Sequence, residues 1–356
     1  MVDVMDIRPL DVSDDRAMRS AYAVETAANV HVRPGWLGAG AEARMLGWRA
    51  DSGWTNRLLG AWDRERLVGF GASMTHDSEP DTAWIFAWVL PDLQHRGIGS
   101  ALVCAAEEQS PAAVVRFVAR TYRPTLDAIA ALSSGFLEPL GFASATTETV
   151  FELDLRTAPL PQPTTVLGYT VASHVDGVPE SLREQVAQIM GLVDSEAPNG
   201  ELGWLESPVT PAEYLEEIAL WNAQGSTVVE TVALDAEGDV AAWTCLVTSE
   251  TPGGHARVEG TLVLKQHRGR GLGLAVKLAN LQVARTLDGV GRVRTSTDDQ
   301  NTWMRSINTM LGFVPVEFEA IFQKIREPEL SRCHRPRPAR HPTSSPSAMI
   351  PSTTRS

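Results

Sequence analysis

Cysteine is scarce in this chain. Cys104, Cys245 and Cys333 are spread through 356 residues without metal-ligand spacing, and no cluster of other ligating residues points to a metal. Cys104 and Cys245 fall on a predicted helix and a predicted strand, where small buried hydrophobes are expected. Long apolar runs are also missing: none approaches the ~18 residues of a membrane span. The opening MVDVMDIRPLDVSDD has neither the basic region nor the apolar core of a signal peptide. A cytoplasmic, soluble protein is the expectation. Positive charge is in deficit, with 31 Lys and Arg against 44 Asp and Glu. The stretch from Glu327 onward holds five arginines and two glutamates, so the 326 residues before it stand at −16 against −13 for the whole. Such a field repels nucleic acid and anionic lipid and favours cationic ligands such as amines. The arginines of that last stretch are scattered and lack interleaved aromatics, so they do not read as a nucleic-acid arm.

What the chain does have is a turn packed with glycine and arginine. After Glu259, the run Gly260-Thr261-Leu262-Val263-Leu264 suits a strand, with Glu259 opening it. Alternation places Glu259 with Thr261 and Val263 on one face and Val258, Leu262 and Leu264 on the other. Leu272, Val276, Ala279 and Val283 then form one apolar stripe of a helix expected to reach about Arg285. Arg268-Gly269-Arg270-Gly271-Leu272-Gly273 therefore lies where a strand becomes a helix. A helix N-terminus presents unpaired N–H groups and the positive end of the peptide dipoles, glycines let an anion come close, and arginines add charge-assisted hydrogen bonds. The loop is a pyrophosphate cradle by this reasoning. It is neither a Walker loop, since Leu274 follows Gly273, nor a dinucleotide fingerprint, whose last glycine would fall on Leu274 or Val276.

The pattern occurs twice. Residues 89 to 103 read VLPDLQHRGIGSALV: a strand over 84–90, a loop, then Ile98, Leu102 and Ala105 on one helical face. Gln94 aligns with Arg268, Gly97 with Gly271 and Gly99 with Gly273, 174 residues apart from 94 to 268. That period is too long for a solenoid and fits a duplicated domain. Upstream, each copy has two strands around a polar turn; downstream, each runs strand, helix and Leu-Gly-Phe, at 140–142 and 311–313. Apolar residues at 43% suffice for two cores. LRTAPLPQPTTVLG, with three prolines and no period, separates the copies. The expected organisation is a first domain over 1–157, a linker over 158–168, a second domain over 169–326 and a disordered tail over 327–356.

The pattern Gln/Arg-x-x-Gly-x-Gly between a strand and a helix, followed by strand, helix and Leu-Gly-Phe, resembles the GNAT superfamily of N-acetyltransferases, here in tandem over roughly residues 5 to 325. The resemblance implies an α/β fold of two tandem GNAT-type domains, each a mixed, mostly antiparallel sheet flanked by helices. It implies acetyl-CoA as the acetyl donor, its pyrophosphate on the loop and its pantetheine arm between two splayed parallel strands. The candidate cofactor contacts are then Leu262, Val263, Leu264, Arg268, Gly269, Arg270, Gly271, Leu272, Gly273 and Asn301 in the second copy. In the first they are Gln94, Arg96, Gly97, Ile98 and Gly99.

Acetyl transfer to an amine needs a base for its proton and an acid for the departing thiolate. By resemblance Glu259, nine residues before Arg268, is the candidate base; the matching position of the first copy is Ile85. The family often places Tyr seven residues after Asn as the acid. Here Asn301 is followed by Asn308, and a carboxamide has no useful proton to give. Asn308 is left to bond the sulfur or to cap backbone. The first copy has Ala130 and Leu137 at these positions, so its chemistry is expected to be lost while its loop persists. His255 is a lesser base candidate in a solvated turn, and Trp84 and Trp88 read as packing. Trp204, Tyr214, Glu216 and Glu217 are candidates to hold a cationic amine.

The expected function is acetyl transfer from acetyl-CoA to a small-molecule amine by the second copy, in a monomer or homodimer, without metal. A mycothiol synthase-like tandem enzyme and a non-catalytic acyl-CoA-binding or sensor protein stand as alternatives.

Overall fold

The computed structural model describes residues 6–50, 52–163, 165–198, 200–203, 206–249 and 254–326. The first copy supplies β1 (Asp6–Pro9), α1 (Asp15–Val32), α2 (Ala41–Arg49), β2 (Trp54–Asp63), β3 (Arg66–His76), β4 (Glu79–Val89), α3 (Ile98–Gln109), β5 (Arg116–Arg123), α4 (Leu126–Leu132) and β6 (Ala143–Asp154). The second repeats that order with β7 (Thr170–Val175), α5 (Glu180–Glu196), α6 (Pro211–Ala223), β8 (Val228–Leu234), β9 (Val240–Ser249), β10 (His255–Val263), α7 (Leu272–Thr286), β11 (Arg292–Asp298), α8 (Thr302–Met310) and β12 (Val314–Ile325). Local chemistry sets the helix starts. Asp14 accepts from the Arg16 and Ala17 amides to open α1, and α6 begins with a Thr210–Glu213 capping box and Pro211.

The two copies share one twelve-stranded sheet in the order β1-β2-β3-β4-β5-β12-β6-β11-β10-β9-β8-β7. Each copy's last strand has crossed to the other: β12 pairs β5 from Phe318↔Arg123 to Ile325↔Arg116, and β6 pairs β11 from Arg292↔Asp154 to Asp298↔Glu148. The sequence repeat is silent on this exchange because β6 and β12 hold equivalent places, so either strand satisfies either sheet's pattern. The cores follow the exchange. Phe322 and Ala320 of β12 pack with Leu59 and Phe117 of the first copy; Phe151 and Leu153 of β6 pack with Leu278, Leu281 and Phe313 of the second.

This arrangement carries a stability prediction. Phe322 is fully buried, so Phe322→Ala is expected to cost about 3–5 kcal/mol. Because the strand belongs to one copy and its burial to the other, both should unfold in one transition. Denaturation followed by tryptophan fluorescence and far-UV circular dichroism checks this, and two separated transitions in the wild type would contradict it.

Three local expectations need correction. α7 is buried on far more than one stripe, Leu272, Ala275, Leu278 and Ala284 all being covered. The cause is packing beyond its own sheet: Val166 and Tyr169 of the inter-copy segment and Ile307 of α8 lie against the same clusters. Cys104 is exposed while Cys245 is buried, since position 104 falls beside the buried ridge of Leu102, Val103 and Ala106 on α3. Of the expected linker, Ala158 and Leu160 pack on the second core. Residue 164, Cys333 and the tail expected to be disordered lie outside the described residues.

Candidate active site

Both loops fold alike. Each strand ends in a 3-10 turn, Pro91–Leu93 or Lys265–His267, and each helix is entered through a left-handed glycine, Gly97 at φ 83° or Gly271 at φ 82°. Neither helix start has a side-chain cap, so the first amides of α3 and α7 point outward unpaired by side chains, the geometry that holds an anion. A Cβ at Gly97, Gly269 or Gly271 would meet nothing within 4 Å, whereas one on Gly273 would lie 3.2 Å from Ile307 and one on Gly99 3.3 Å from the Phe136 ring. The last glycine of each loop thus lets the next helix pack close; the earlier ones provide backbone conformation.

The side chains of the loops are engaged within the protein. Gln94 donates to the Val89 carbonyl at 3.1 Å and Arg268 to the equivalent Val263 carbonyl at 2.9 Å, so this shared position anchors loop to strand. Arg268 also reaches Glu196 at 2.8 Å, which binds Lys265 at 2.7 Å. Arg270 donates to the Tyr169 hydroxyl at 2.8 Å, and that hydroxyl sits 2.8 Å from His267 Nδ1. Arg96 turns back to the Asp92 carbonyl at 3.1 Å. What the loops offer outward is chiefly backbone N–H, with Leu272 and Ile98 buried behind it.

The parallel pairs behind the loops separate. β10 and β11 are paired only from His255↔Arg292 to Arg257↔Arg294, although β10 runs on to Val263. β4 and β5 are paired only from Thr82↔Arg116 to Ile85↔Ala119. At the parting of β10 the register against β9 jumps from Val258↔Leu246 to Gly260↔Cys245, which makes Glu259 the extra residue of a β-bulge. Glu259 therefore lies within the strand, not at its opening. The bulge also overturns the expected alternation. Val258 packs with Leu278 on the α7 side, whereas Leu262 packs with Tyr214 and Trp243 on the opposite side, and Val263 takes the α7 side against Leu272.

Glu259 looks into a cavity of about 950 Å³ lined by both copies. Its Oε1 is ion-paired with Arg257. Glu217, from α6, lines the same space; burial, and then the charge of Glu259, push its carboxyl up to about 7. Burial also raises Asp194 and Glu79. At the seam, Glu148 of β6 faces Glu319 of β12 directly; burial and that neighbour push the Glu148 carboxyl up, while Glu319 is bonded by Arg120 at 3.0 Å and by the Ser296 hydroxyl at 2.9 Å. Raised carboxyls around a cavity are what a cationic guest would relieve, since its charge favours their ionised form.

Other expectations are redistributed. Tyr214 is fully buried, its hydroxyl donating to Glu230 at 2.5 Å and accepting from the Val178 amide at 2.7 Å; it is a core residue because an apolar face of α6 carries it inward. Glu216 is exposed, Trp204 lies outside the described residues, and Trp221 lines the cavity. Trp84 lines it too, with the Arg120 guanidinium 4.8 Å from its ring centroid. His255 is no solvated turn residue: it opens β10, is buried, and is pushed down to about 4 by burial and then by Arg294 and Arg257. Asn301 caps α8, its Oδ1 accepting from the Met304 amide at 3.1 Å. Asn308 is fully buried and caps no backbone; its Nδ2 donates to Thr297 at 3.0 Å and its Oδ1 accepts from Lys277 at 2.8 Å. Lys277 was missed by sequence reasoning, although a lysine inside the apolar LGLAVKLANL was its signal.

A family model described as the acetyltransferase (GNAT) family matches residues 24–136 and 165–313. Among solved structures the chain is similar to a tandem GNAT protein from the clavulanic acid biosynthesis pathway, with 22% identity, a TM-score of 0.75, and 91% of this chain and 99% of that one covered. It is also similar to a GCN5-related N-acetyltransferase from Sphaerobacter thermophilus, with 18% identity, a TM-score of 0.63, and 92% and 98% covered. No protein of curated function matches. At such identities the structural likeness speaks for the fold and leaves the acceptor open. With more than half its length matched in two blocks, the chain belongs to the GNAT family of acetyltransferases, as a tandem pair of domains of a fold that supports acyl transfer.

Proposed function

We propose that the second copy transfers an acetyl group from acetyl-CoA directly to a primary amine of a small molecule, with Glu259 as the general base. The observation that carries this reading is the carboxylate of Glu259 on a β-bulge, where two parallel strands part beside an uncapped helix N-terminus. The first copy has the parting strands and the loop but Ile85 in place of the carboxylate. In the reaction the amine nitrogen bonds the acyl carbon as the carbon–sulfur bond breaks, and the amine proton passes to Glu259 directly or through a water. The pyrophosphate of the donor is held by the α7 N-terminus at Gly271, the acyl arm runs along Leu262, Val263 and Leu264, and Asn308 orients its neighbours without supplying a proton. The surplus of carboxyls in the cavity supports a cationic acceptor, and a volume of about 950 Å³ suits a small molecule.

The donor site is tested by binding. A side chain at position 271 has open space, so Gly271→Val acts only through the backbone, where φ 82° is strained for a β-branched residue. Combined with Arg268→Ala, which frees the loop from Val263 and Glu196, it is expected to weaken CoA binding to the second copy roughly tenfold or more. Calorimetry checks this; equal affinity in the double variant would remove the donor site from this loop.

A further inference from the structure

Thioester aminolysis leaves a thiolate that must be protonated, and the reading above supplies a base but no acid. Lys277 is one of three lysines in the chain, with Lys265 and Lys324. It sits in the second turn of α7, is 2% exposed and lines the cavity. Its Nζ donates to Asn308 Oδ1 at 2.8 Å, lies 3.8 Å from Met304 Sδ and stands 5.7 Å from the Phe313 ring centroid. Among the described residues no carboxylate pairs with it. Of the charged groups on the elements around α7, Glu230 is bonded by Tyr214 and Trp243, Glu259 is paired with Arg257, Asp298 accepts from Thr146, Arg305 is paired with Asp299 and His267 contacts Tyr169. His174 of β7 alternates with Val171 and so faces away from α7, and Cys245 of β9 packs with Tyr214 and Trp243 on the opposite side of the sheet.

A buried ammonium without a counter-charge is costly, and the duplication shows that the fold does not require one. The residue at the matching place on α3 is Val103, 4% exposed, and the first copy matches Asn308 and Asn301 with Leu137 and Ala130. A polar cluster of Lys277, Asn308 and Thr297 thus exists only in the copy that carries Glu259. Asn308 presents its carbonyl to the lysine and its amide to Thr297, which fixes the amide orientation and holds Nζ at the cavity that Glu259 also lines.

We propose that Lys277 is the proton donor to the departing CoA thiolate. One N–H bond of the ammonium breaks as the S–H bond forms, leaving a neutral amine that regains its proton from solvent before the next turnover. Burial pushes Lys277 down to about 7, the direction that favours giving up a proton to a thiolate near neutral pH.

This inference rests on the donor site proposed above, and its test separates the two. With isotopically labelled lysine the whole protein gives three side-chain signals, and that of Lys277 is identified by its loss in Lys277→Met. Free CoA is expected to shift the Lys277 signal and its titration in the wild type, and desulfo-CoA, which lacks the sulfur, is not. CoA should bind roughly tenfold more tightly than desulfo-CoA, a preference lost in Lys277→Met and kept in Lys277→Arg, with desulfo-CoA affinity unchanged in both. With any amine the wild type accepts, Lys277→Met and Lys277→Arg should both lower kcat roughly 10²-fold, because arginine keeps the charge but gives up no proton. Equal responses to CoA and desulfo-CoA, or wild-type turnover in Lys277→Met, would overturn the role of Lys277 and leave the donor site standing. Failure of CoA to bind the wild type would overturn both. Should Lys277→Met fail to fold, the Lys277 signal is the one kept in both Lys265→Arg and Lys324→Arg, so the comparison of CoA with desulfo-CoA on unaltered protein still decides the matter.

Discussion

Glu259→Gln is expected to lower kcat by roughly 10²-fold or more at pH 7, with acetyl-CoA affinity little changed. An alkylammonium has a pKa near 10, so only about one molecule in a thousand is free amine at neutral pH. Glutamine keeps the size of the side chain and loses the proton acceptor. The loss should shrink as pH rises, because a growing fraction of the acceptor then arrives deprotonated. The position matters as much as the charge: a residue extruded in a bulge is free of ladder geometry and can turn its carboxylate to the cavity without breaking a cross-strand pair. Steady-state kinetics from pH 6 to 9 make the check. A variant with wild-type kcat across that range would reduce Glu259 to the ion-pair partner of Arg257.

The second large effect compares the copies under matched damage. Gly97 and Gly271 share the same left-handed conformation, and a Cβ at either meets nothing, so Gly97→Val and Gly271→Val strain each backbone equally. Turnover at subsaturating acetyl-CoA is expected to fall about tenfold or more in Gly271→Val and to change less than about twofold in Gly97→Val. The reason lies beyond the loops. Around its loop the first copy offers Ile85, Val103, Ala130 and Leu137 where the second offers Glu259, Lys277, Asn301 and Asn308. Turnover that survives Gly271→Val and is lost in Gly97→Val would reverse the assignment of the chemistry.

The duplicated loop, the strand-to-helix turns and the twofold plan were legible because they rest on local signals: glycine spacing, apolar periodicity and Leu-Gly-Phe echoes. What was not legible rests on contacts far apart in sequence. The exchange of β6 and β12 leaves no local trace. The bulge at Glu259 is one residue of register against β9, and it reverses the facing of everything after it, which strict alternation cannot foresee. Residue type alone points Tyr214 to an acceptor contact, but the buried carboxylate that claims its hydroxyl, Glu230, lies on another element. Arg268 and Gln94 suit phosphate by type and place in the loop, yet their common partner is the carbonyl that ends the preceding strand. Lys277 passed unnoticed because it stands amid apolar neighbours, and only packing shows that no carboxylate meets it.

The central claim is that the second copy moves acetyl from acetyl-CoA to a cationic amine. It is tested most directly by measuring free thiol released from acetyl-CoA across a panel of primary amines, with wild type, Glu259→Gln and Gly271→Val side by side and the product mass read for each active amine. The expected result is thiol release matched by an acetylated amine for at least one acceptor in the wild type, strongly reduced in both variants. Acetyl-CoA bound by the wild type without acceptor-dependent thiol release for any amine, or release that is indifferent to both substitutions, would contradict it.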